Sequence, residues 1–274
     1  MTGFDTGGFL LALPLTLLAA LLLLLATYGV SRVVGRHSVV DVTWGLAFVV
    51  ITLVAWALSL GEGGAGGGDG RRTLVLALVA LWGLRLAGHI YLRARTHTGE
   101  DPRYEAMLAR ATGNREVYAL TRVYLTQALS AWFISLPVQV AVFQRGGLGV
   151  LGVVGIAVWA VGLFFEAVGD AQLTRFRNDP ANRGTVLDTG LWRYTRHPNY
   201  FGDACVWWGL SLIAFAMWPG VPTVLSPVLM TYLLARGTGA ALLEKDIGDR
   251  RPGYAEYVRS TSGFVPLPPR RRAA

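Results

Sequence analysis

Apolar stretches of membrane-crossing length alternate with short polar connections along this chain. A spanning helix needs about 20 mostly apolar residues. Seven stretches reach or approach that length: residues 9–30, 39–60, 73–92, 117–143, 147–169, 201–218 and 221–236. The pattern predicts an all-α polytopic membrane protein with seven transmembrane helices, a single integral membrane domain over 1–274 ending in a tail at 237–274. Only Pro219 and Gly220 separate the last two stretches, a turn signal that makes them a helical hairpin. The first stretch has no basic leader and is too long for a signal-peptide core, so it reads as the first span.

Charge in the connections orients the seven helices. Loops 31–37, 93–116 and 170–200 and the tail from 236 share one side and hold 20 Lys and Arg. The N-terminus and loops 61–72, 144–146 and 219–220 share the other side and hold 3. Positive charge gathers on the cytoplasmic side. The N-terminus is therefore expected outside, and the tail in the cytoplasm.

Composition agrees: 53% of residues are hydrophobic, 15% are charged, and the mean hydropathy is +0.44. The net charge of +8 is mostly arginine. It suits anionic headgroups, and no nucleic-acid-binding module accompanies it. A lone cysteine, Cys205, excludes an intrachain disulfide. His37, His89, His97 and His197 form no close-spaced ligand pair, so no metal site is expected. The glycine-rich run Gly61–Gly70 reads as a flexible outer loop, and 266–272 as a Pro/Arg tail near the headgroups.

Ionisable groups at membrane depth are expensive and mark functional sites. In the second stretch Asp41, Trp44, Gly45 and Phe48 share one helical face; in the third, Trp82, Arg85 and His89 do. An Asp41–Arg85 ion pair is expected. It is open to two roles, a tie between helices or acid–base work by Asp41 and His89. In the fifth stretch Glu166 and Asp170 are four apart, at what reads as the helix end. Carboxylates there oppose the helix dipole, so a ligand's hydroxyls or amides are the expected reason for them, against plain capping by solvated charge. Before the sixth stretch lies LWRYTRHPNYFGD, with Asn199, Asp203 and Trp207 on one face and Pro198 suited to a helix start. With Arg193 and Arg196 beside it, that N-terminus is a natural anion site, for a cofactor phosphate or a lipid phosphate. Glu244 to Tyr257 reads as a short amphipathic interfacial helix interrupted by Pro-Gly, its Tyr254 and Tyr257 able to fold onto the cytoplasmic mouth.

FFEAVGDAQLTRFRND, GLWRYTRHPNYFGD and RPGYAEYVRSTSGFVP together resemble the steroid 5α-reductase superfamily, in its bacterial membrane branch; VDVTWG and LWGLRLAGHIYLR extend the likeness. The resemblance runs from about Val39 to Pro269. It implies NADPH held at the cytoplasmic end of helices five to seven. Asp170 and Arg177 fall on the family's D-x6-R cofactor stretch, and Asn199 and Asp203 on its N-x3-[ED] residues. Trp192, Arg196, His197 and Tyr200 match the surrounding loop of sterol reductases, and Tyr257, Glu244 and Arg251 match the tail. Glu166 joins this cofactor set through its shared face with Asp170. The family passes hydride to an enone while a Tyr/Glu pair polarises the carbonyl. Here Trp82 stands at the tyrosine position when Arg85 is aligned with the family's arginine, and the helix-two glutamate has no clear counterpart. The expected catalytic set is therefore Asp41, Arg85, His89 and Tyr91.

The expected activity is NADPH-dependent reduction of a C=C bond in a lipophilic enone or sterol-like lipid. Arginine in the cofactor loop favours NADPH over NADH. Two alternatives differ in kind. An S-adenosylmethionine-dependent methyltransferase of the isoprenylcysteine type shares RHP-x-Y-x-G, yet its paired tail glutamates read Glu244-Lys245 here. A non-catalytic lipid-binding membrane protein would not need the missing tyrosine.

Overall fold

In a computed structural model, residues 3–61, 69–96, 99–237, 239–240, 244 and 251–270 are described. Most of the glycine-rich run, His97, much of Glu244–Tyr257 and the last four residues lie outside them. Among the described residues the fold is helical, with two isolated bridges and no strand. Among the described residues, five helices are long and apolar enough to cross a membrane, and six if one bent pair counts as a single span. The expected sixth span is a helix of 17 residues, Pro198–Ala214. It rises about 25 Å against a hydrocarbon core of about 30 Å.

The chain forms two compact units. The first comprises Met1–Leu148 and Met217–Thr223. In it, α1 (Thr6–Val34) is capped by the Asp5 carboxylate, which accepts from the Gly8 N–H at 3.0 Å, and ends on Gly35 at φ 77°. A 3-10 turn at His37–Val39 leads into α2 (Val40–Ser59). Then come α3 (Asp69–Ala94) and α4 (Pro102–Leu108), the latter capped by Asp101 with proline at its first turn. The expected fourth span is broken. It consists of α5 (Arg115–Ala119), a π-helical turn (Leu120–Leu125), α6 (Thr126–Ile134) and α7 (Leu136–Val142). It bends by 45° at Ser135, where Pro137 cannot donate to the helical ladder.

Burial runs opposite to that of a soluble bundle. On α1 the buried residues are Ala12, Thr16, Ala20, Leu24, Thr27 and Ser31, while Leu10, Leu11, Leu18, Leu22 and Leu25 face outward. Lipid is as apolar as leucine, so helices associate through small residues that let backbones approach. At the α2–α3 crossing, a Cβ on Gly45 would sit 2.5 Å from the Gly83 carbonyl oxygen. Beside that contact Phe48 packs edge-on against Trp82, with ring centroids 5.5 Å apart. Gly45, Phe48 and Trp82 thus lie at this crossing.

The second unit comprises Gly149–Ala216 and Val224–Ala274. Its framework is α8 (Gly149–Asn178) against α9 (Pro198–Ala214), joined by α10 (Leu225–Tyr232) and α11 (Tyr254–Ser260). Glycines spaced by seven, Gly155, Gly162 and Gly169 on α8 and Gly202 and Gly209 on α9, form the seam. A Cβ on Gly162 would lie 2.5 Å from the Val206 nitrogen, and one on Gly209 2.5 Å from the Trp159 nitrogen. A seven-residue repeat keeps one stripe facing the partner along the whole contact.

Two of the boundaries that move bear on the polar residues. The sixth stretch starts at Pro198 rather than Phe201, with the proline in the first turn, where its missing N–H is no loss. The fifth continues past Gly169 to Asn178. Glu166 and Asp170 therefore lie two or more turns inside α8, and the expected clash with a helix C-terminus does not arise. Arg175 and Arg177 occupy the last turn, where positive charge suits the dipole.

Candidate functional site

The polar groups of the second unit converge at the end of the α8–α9 pair. Glu166 and Asp170 are 2% and 6% exposed on α8, and Asp203 is 7% exposed on α9. Their shared helical faces point inward, as the four-residue spacings require. The Asn199 side-chain amide donates to the Asp170 carboxylate at 3.1 Å. Its own Oδ1 accepts from the Tyr200 N–H, so the first turn of α9 fixes the amide's orientation. Gly169 makes this approach possible, because a Cβ there would meet Pro198 and the Asn199 nitrogen at 3.1 and 3.2 Å.

The α8–α9 loop closes over this end. Gly190, at φ 60°, turns the chain above Gln172, whose Oε1 accepts from the Leu191 N–H at 3.0 Å. The Trp192 indole N–H donates to the Gly169 carbonyl at 3.1 Å, so the ring lies against α8. From the tail, the Tyr257 hydroxyl donates to the Trp192 carbonyl at 2.6 Å. The Thr195 hydroxyl donates to the Phe264 carbonyl, and the Arg196 N–H to that of Ser262. Tail and loop thus form one layer.

Within that layer Arg196 grips Glu244 through Nε and Nη2 at 2.8 and 3.1 Å, and His197 Nε2 lies 2.7 Å from Glu244 Oε1. Arg196 Nη1 donates to the carbonyls of Val258 and Thr261. His197 stacks on Tyr200 at 5.6 Å. Burial alone would raise the Glu244 carboxyl; the hydrogen bonds from His197 and Arg196 and their charges outweigh it and bring it down to about 2. Burial, followed by the Glu244 charge, pushes the Tyr254 phenol up to about 12. The sign of the pH dependence follows from the depressed carboxyl. The stabilisation from Glu244 is complete above its ordinary value of 4.5 and disappears as pH falls towards 2. Acidification across that window is expected to free Glu244 from Arg196 and lower the melting temperature, while the tail's backbone contacts with Arg196 persist. A melting temperature that stays flat from pH 4.5 down to 2 contradicts this role for Glu244.

Arg177 and Arg251 stand apart from the buried cluster. Arg177 is exposed in the last turn of α8, and Arg251 donates to the Thr185 carbonyl at 2.9 Å in the loop. Gln172 and Thr195 belong to the architecture and were not singled out from the sequence. A polar residue two positions past Asp170 on a continuing helix is the one signal that could have found Gln172.

The expected catalytic residues lie in the first unit. The Asp41–Arg85 pair does not form. Asp41 instead accepts from the Tyr104 hydroxyl at 2.5 Å and from Arg103 at 2.9 Å, both on α4. Arg103 also bonds Asp101 at 3.0 Å. Burial works against the guanidinium's charge, but Asp101 and Asp41 prevail and raise its pKa. Nothing near Asp41 in sequence announces a partner more than sixty residues away. Arg85 and His89 are half-buried on α3, and Tyr91 is 58% exposed. None of the three is Asp41's partner. A second polar group was also not singled out. His37 lies 3.1 Å from the Tyr124 hydroxyl of the π turn and 3.7 Å from Glu116, and stacks on Tyr28. Glu100 caps the start of α2 by accepting from the backbone N–H groups of His37 and Ser38.

Similarity to known proteins is broad in extent and thin in detail. An uncharacterised protein of Schizosaccharomyces pombe is 22% identical over 295 residues, covering 96% of this chain and 81% of its own length. No solved structure matches. The model of a family described as "Protein of unknown function (DUF1295)" matches residues 27–261, which takes in both helical units. On that match, the chain belongs to the DUF1295 family.

Proposed function

We propose that this protein is a membrane-embedded, NADPH-dependent reductase of a carbon–carbon double bond in a lipophilic enone or sterol-like lipid. In this reading it is a cell-membrane protein related to the steroid 5α-reductases. All seven helical segments span, with the short α9 as the sixth. The N-terminus lies outside, and the end carrying Asp170 and Asn199 faces the cytoplasm, where NADPH is available and the loop charge predicts it.

The observation that carries the reading is the 3.1 Å hydrogen bond from Asn199 to Asp170. It joins the two separate stretches that resemble the family's cofactor motifs. The donor set suits the cofactor. Glu166, Asp170 and Asp203 offer carboxylates to ribose hydroxyls and a carboxamide, Asn199 offers an oriented amide, and Arg196 and His197 match the anionic part. When bound, NADPH supplies a hydride. The chain's own work is to orient it and keep water out, and the burial of Glu166, Asp170, Asp203 and Trp192 supports both. The chain departs from the pattern of the steroid enzymes in one respect. Trp82, at their tyrosine position, is fully buried against Phe48 and has no acidic proton to give.

Thermal stability of the detergent-purified protein tests the proposal. NADPH is expected to stabilise it, by about 2.7 kcal/mol at one hundred times its dissociation constant. NADH should do less and S-adenosylmethionine nothing, and Asn199→Ala and Asp203→Ala should abolish the NADPH effect. A response to S-adenosylmethionine alone would make it a methyltransferase. No response to any of the three would remove both enzymatic readings.

A further inference from the structure

We propose that Arg196 and His197 form a phosphoryl-binding site that Glu244 occupies as an internal placeholder, so that an incoming phosphate group binds by exchange with this carboxylate. The identity of the anion as a cofactor phosphate rests on the reductase reading; the exchange itself does not.

The geometry is that of a loaded anion site. The Nε–Nη2 edge of a guanidinium, used here at 2.8 and 3.1 Å, takes a carboxylate or a phosphate in the same two-point fashion. His197 Nε2 converges on the same oxygen at 2.7 Å. Both groups sit at the start of a 17-residue helix, whose positive end adds to the field. Removing the carboxylate would leave the site standing. Arg196 Nη1 stays fixed by the Val258 and Thr261 carbonyls, and His197 stays stacked on Tyr200. The guanidinium edge therefore remains aimed.

Exposure gives the direction of exchange. The His197 side chain is 7% exposed, that of Arg196 14%, and that of Glu244 23%. The carboxylate is the outermost of the three and covers the guanidinium and the imidazole. An arriving phosphate meets Glu244 first and gains the fixed partners by displacing it. The tail segment that carries Glu244 thereby acts as a competitor built into the chain.

An internal competitor lowers apparent affinity by the fraction of molecules in which the site is open. If that fraction is about one tenth, neutralising Glu244 tightens anion binding about tenfold. The experiment titrates the full-length protein in phosphatidylcholine nanodiscs with inorganic pyrophosphate and with NADPH, comparing wild type with Glu244→Gln and Glu244→Ala. A third arm adds phosphatidic acid to the nanodiscs. Near-UV circular dichroism verifies the fold of each variant. Tighter pyrophosphate binding in both variants, cancelled by Arg196→Gln and unaffected by Arg193→Gln, is the expected result. Gains for pyrophosphate and NADPH identify a nucleotide site. A gain for pyrophosphate with none for NADPH keeps the exchange and removes the cofactor from it, and a response to phosphatidic acid then assigns the site to headgroups. Unchanged or weaker pyrophosphate binding in both variants overturns the proposal. Should both variants fail to fold, wild type decides by infrared difference spectroscopy. Saturating pyrophosphate must shift the Glu244 carboxylate stretch, and an unshifted band overturns the exchange.

Discussion

Gly162→Ala is expected to destabilise the second unit by about 3 kcal/mol or more, although it adds a single methyl group. That methyl would lie 2.5 Å from the Val206 nitrogen, 2.6 Å from the Gly202 oxygen and 2.9 Å from the Cys205 Cβ. The first two are backbone atoms of α9 and cannot turn aside, so the helices must separate. Separation also breaks the approach of Asn199 to Asp170 at the far end of the seam, so NADPH stabilisation should fall with it. Gly88→Ala is the matched control: nothing lies within 4 Å of its added Cβ on α3. There the exchange should be neutral or stabilising, by up to about 1 kcal/mol from helix propensity. Thermal unfolding of the two variants in detergent checks both. Equal stability would mean that the α8–α9 backbones are not in contact.

Arg196→Met is expected to free the tail while leaving the helices intact. The substitution keeps much of the side chain's length and removes every donor. It strands the Glu244 carboxylate and two backbone carbonyls, those of Val258 and Thr261. Breaking one side of a buried ion pair costs about 3–5 kcal/mol, and the partial exposure of this pair places it towards the lower end. The loss is local, because the tail joins the loop chiefly through this arginine, Thr195 and Tyr257. Hydrogen exchange over 254–264 should therefore accelerate strongly while α8 and α9 stay protected. Arg193→Met, three residues away and exposed, should change neither. Similar exchange in the two variants would show that charge in the loop, rather than this particular grip, holds the tail.

Much of the site was legible in the sequence because it depends on short-range spacing. Glu166 with Asp170, and Asn199 with Asp203 and Trp207, lie four residues apart, and any helix puts such residues on one face. Pro198 marked a helix start. The tail tyrosines read as able to fold onto the mouth of the helices, and Tyr257 does meet the Trp192 carbonyl of the loop. What spacing could not supply were partners across the fold. Asp41 faces a helix that holds Arg85, yet it binds Arg103 and Tyr104 from α4. Two residues at compatible depths can meet or miss according to how their helices are rotated, and a linear pattern leaves that rotation open. Arg196 read as an open cation for a ligand; its occupation by Glu244, 48 positions along the chain, came only with the fold.

The sequence by itself determined that the chain is helical and apolar enough to cross a membrane several times. That outcome needs only hydrophobic length and backbone hydrogen bonds closed within each segment. It also determined which polar residues share a helical face. The tertiary structure alone decided which faces meet, because in lipid that choice rests on how closely backbones can approach rather than on hydrophobicity. The glycine seam brings α8 and α9 into backbone contact. It thereby sets Asn199 on Asp170 and gives LWRYTRHPNYFGD a tail to bind.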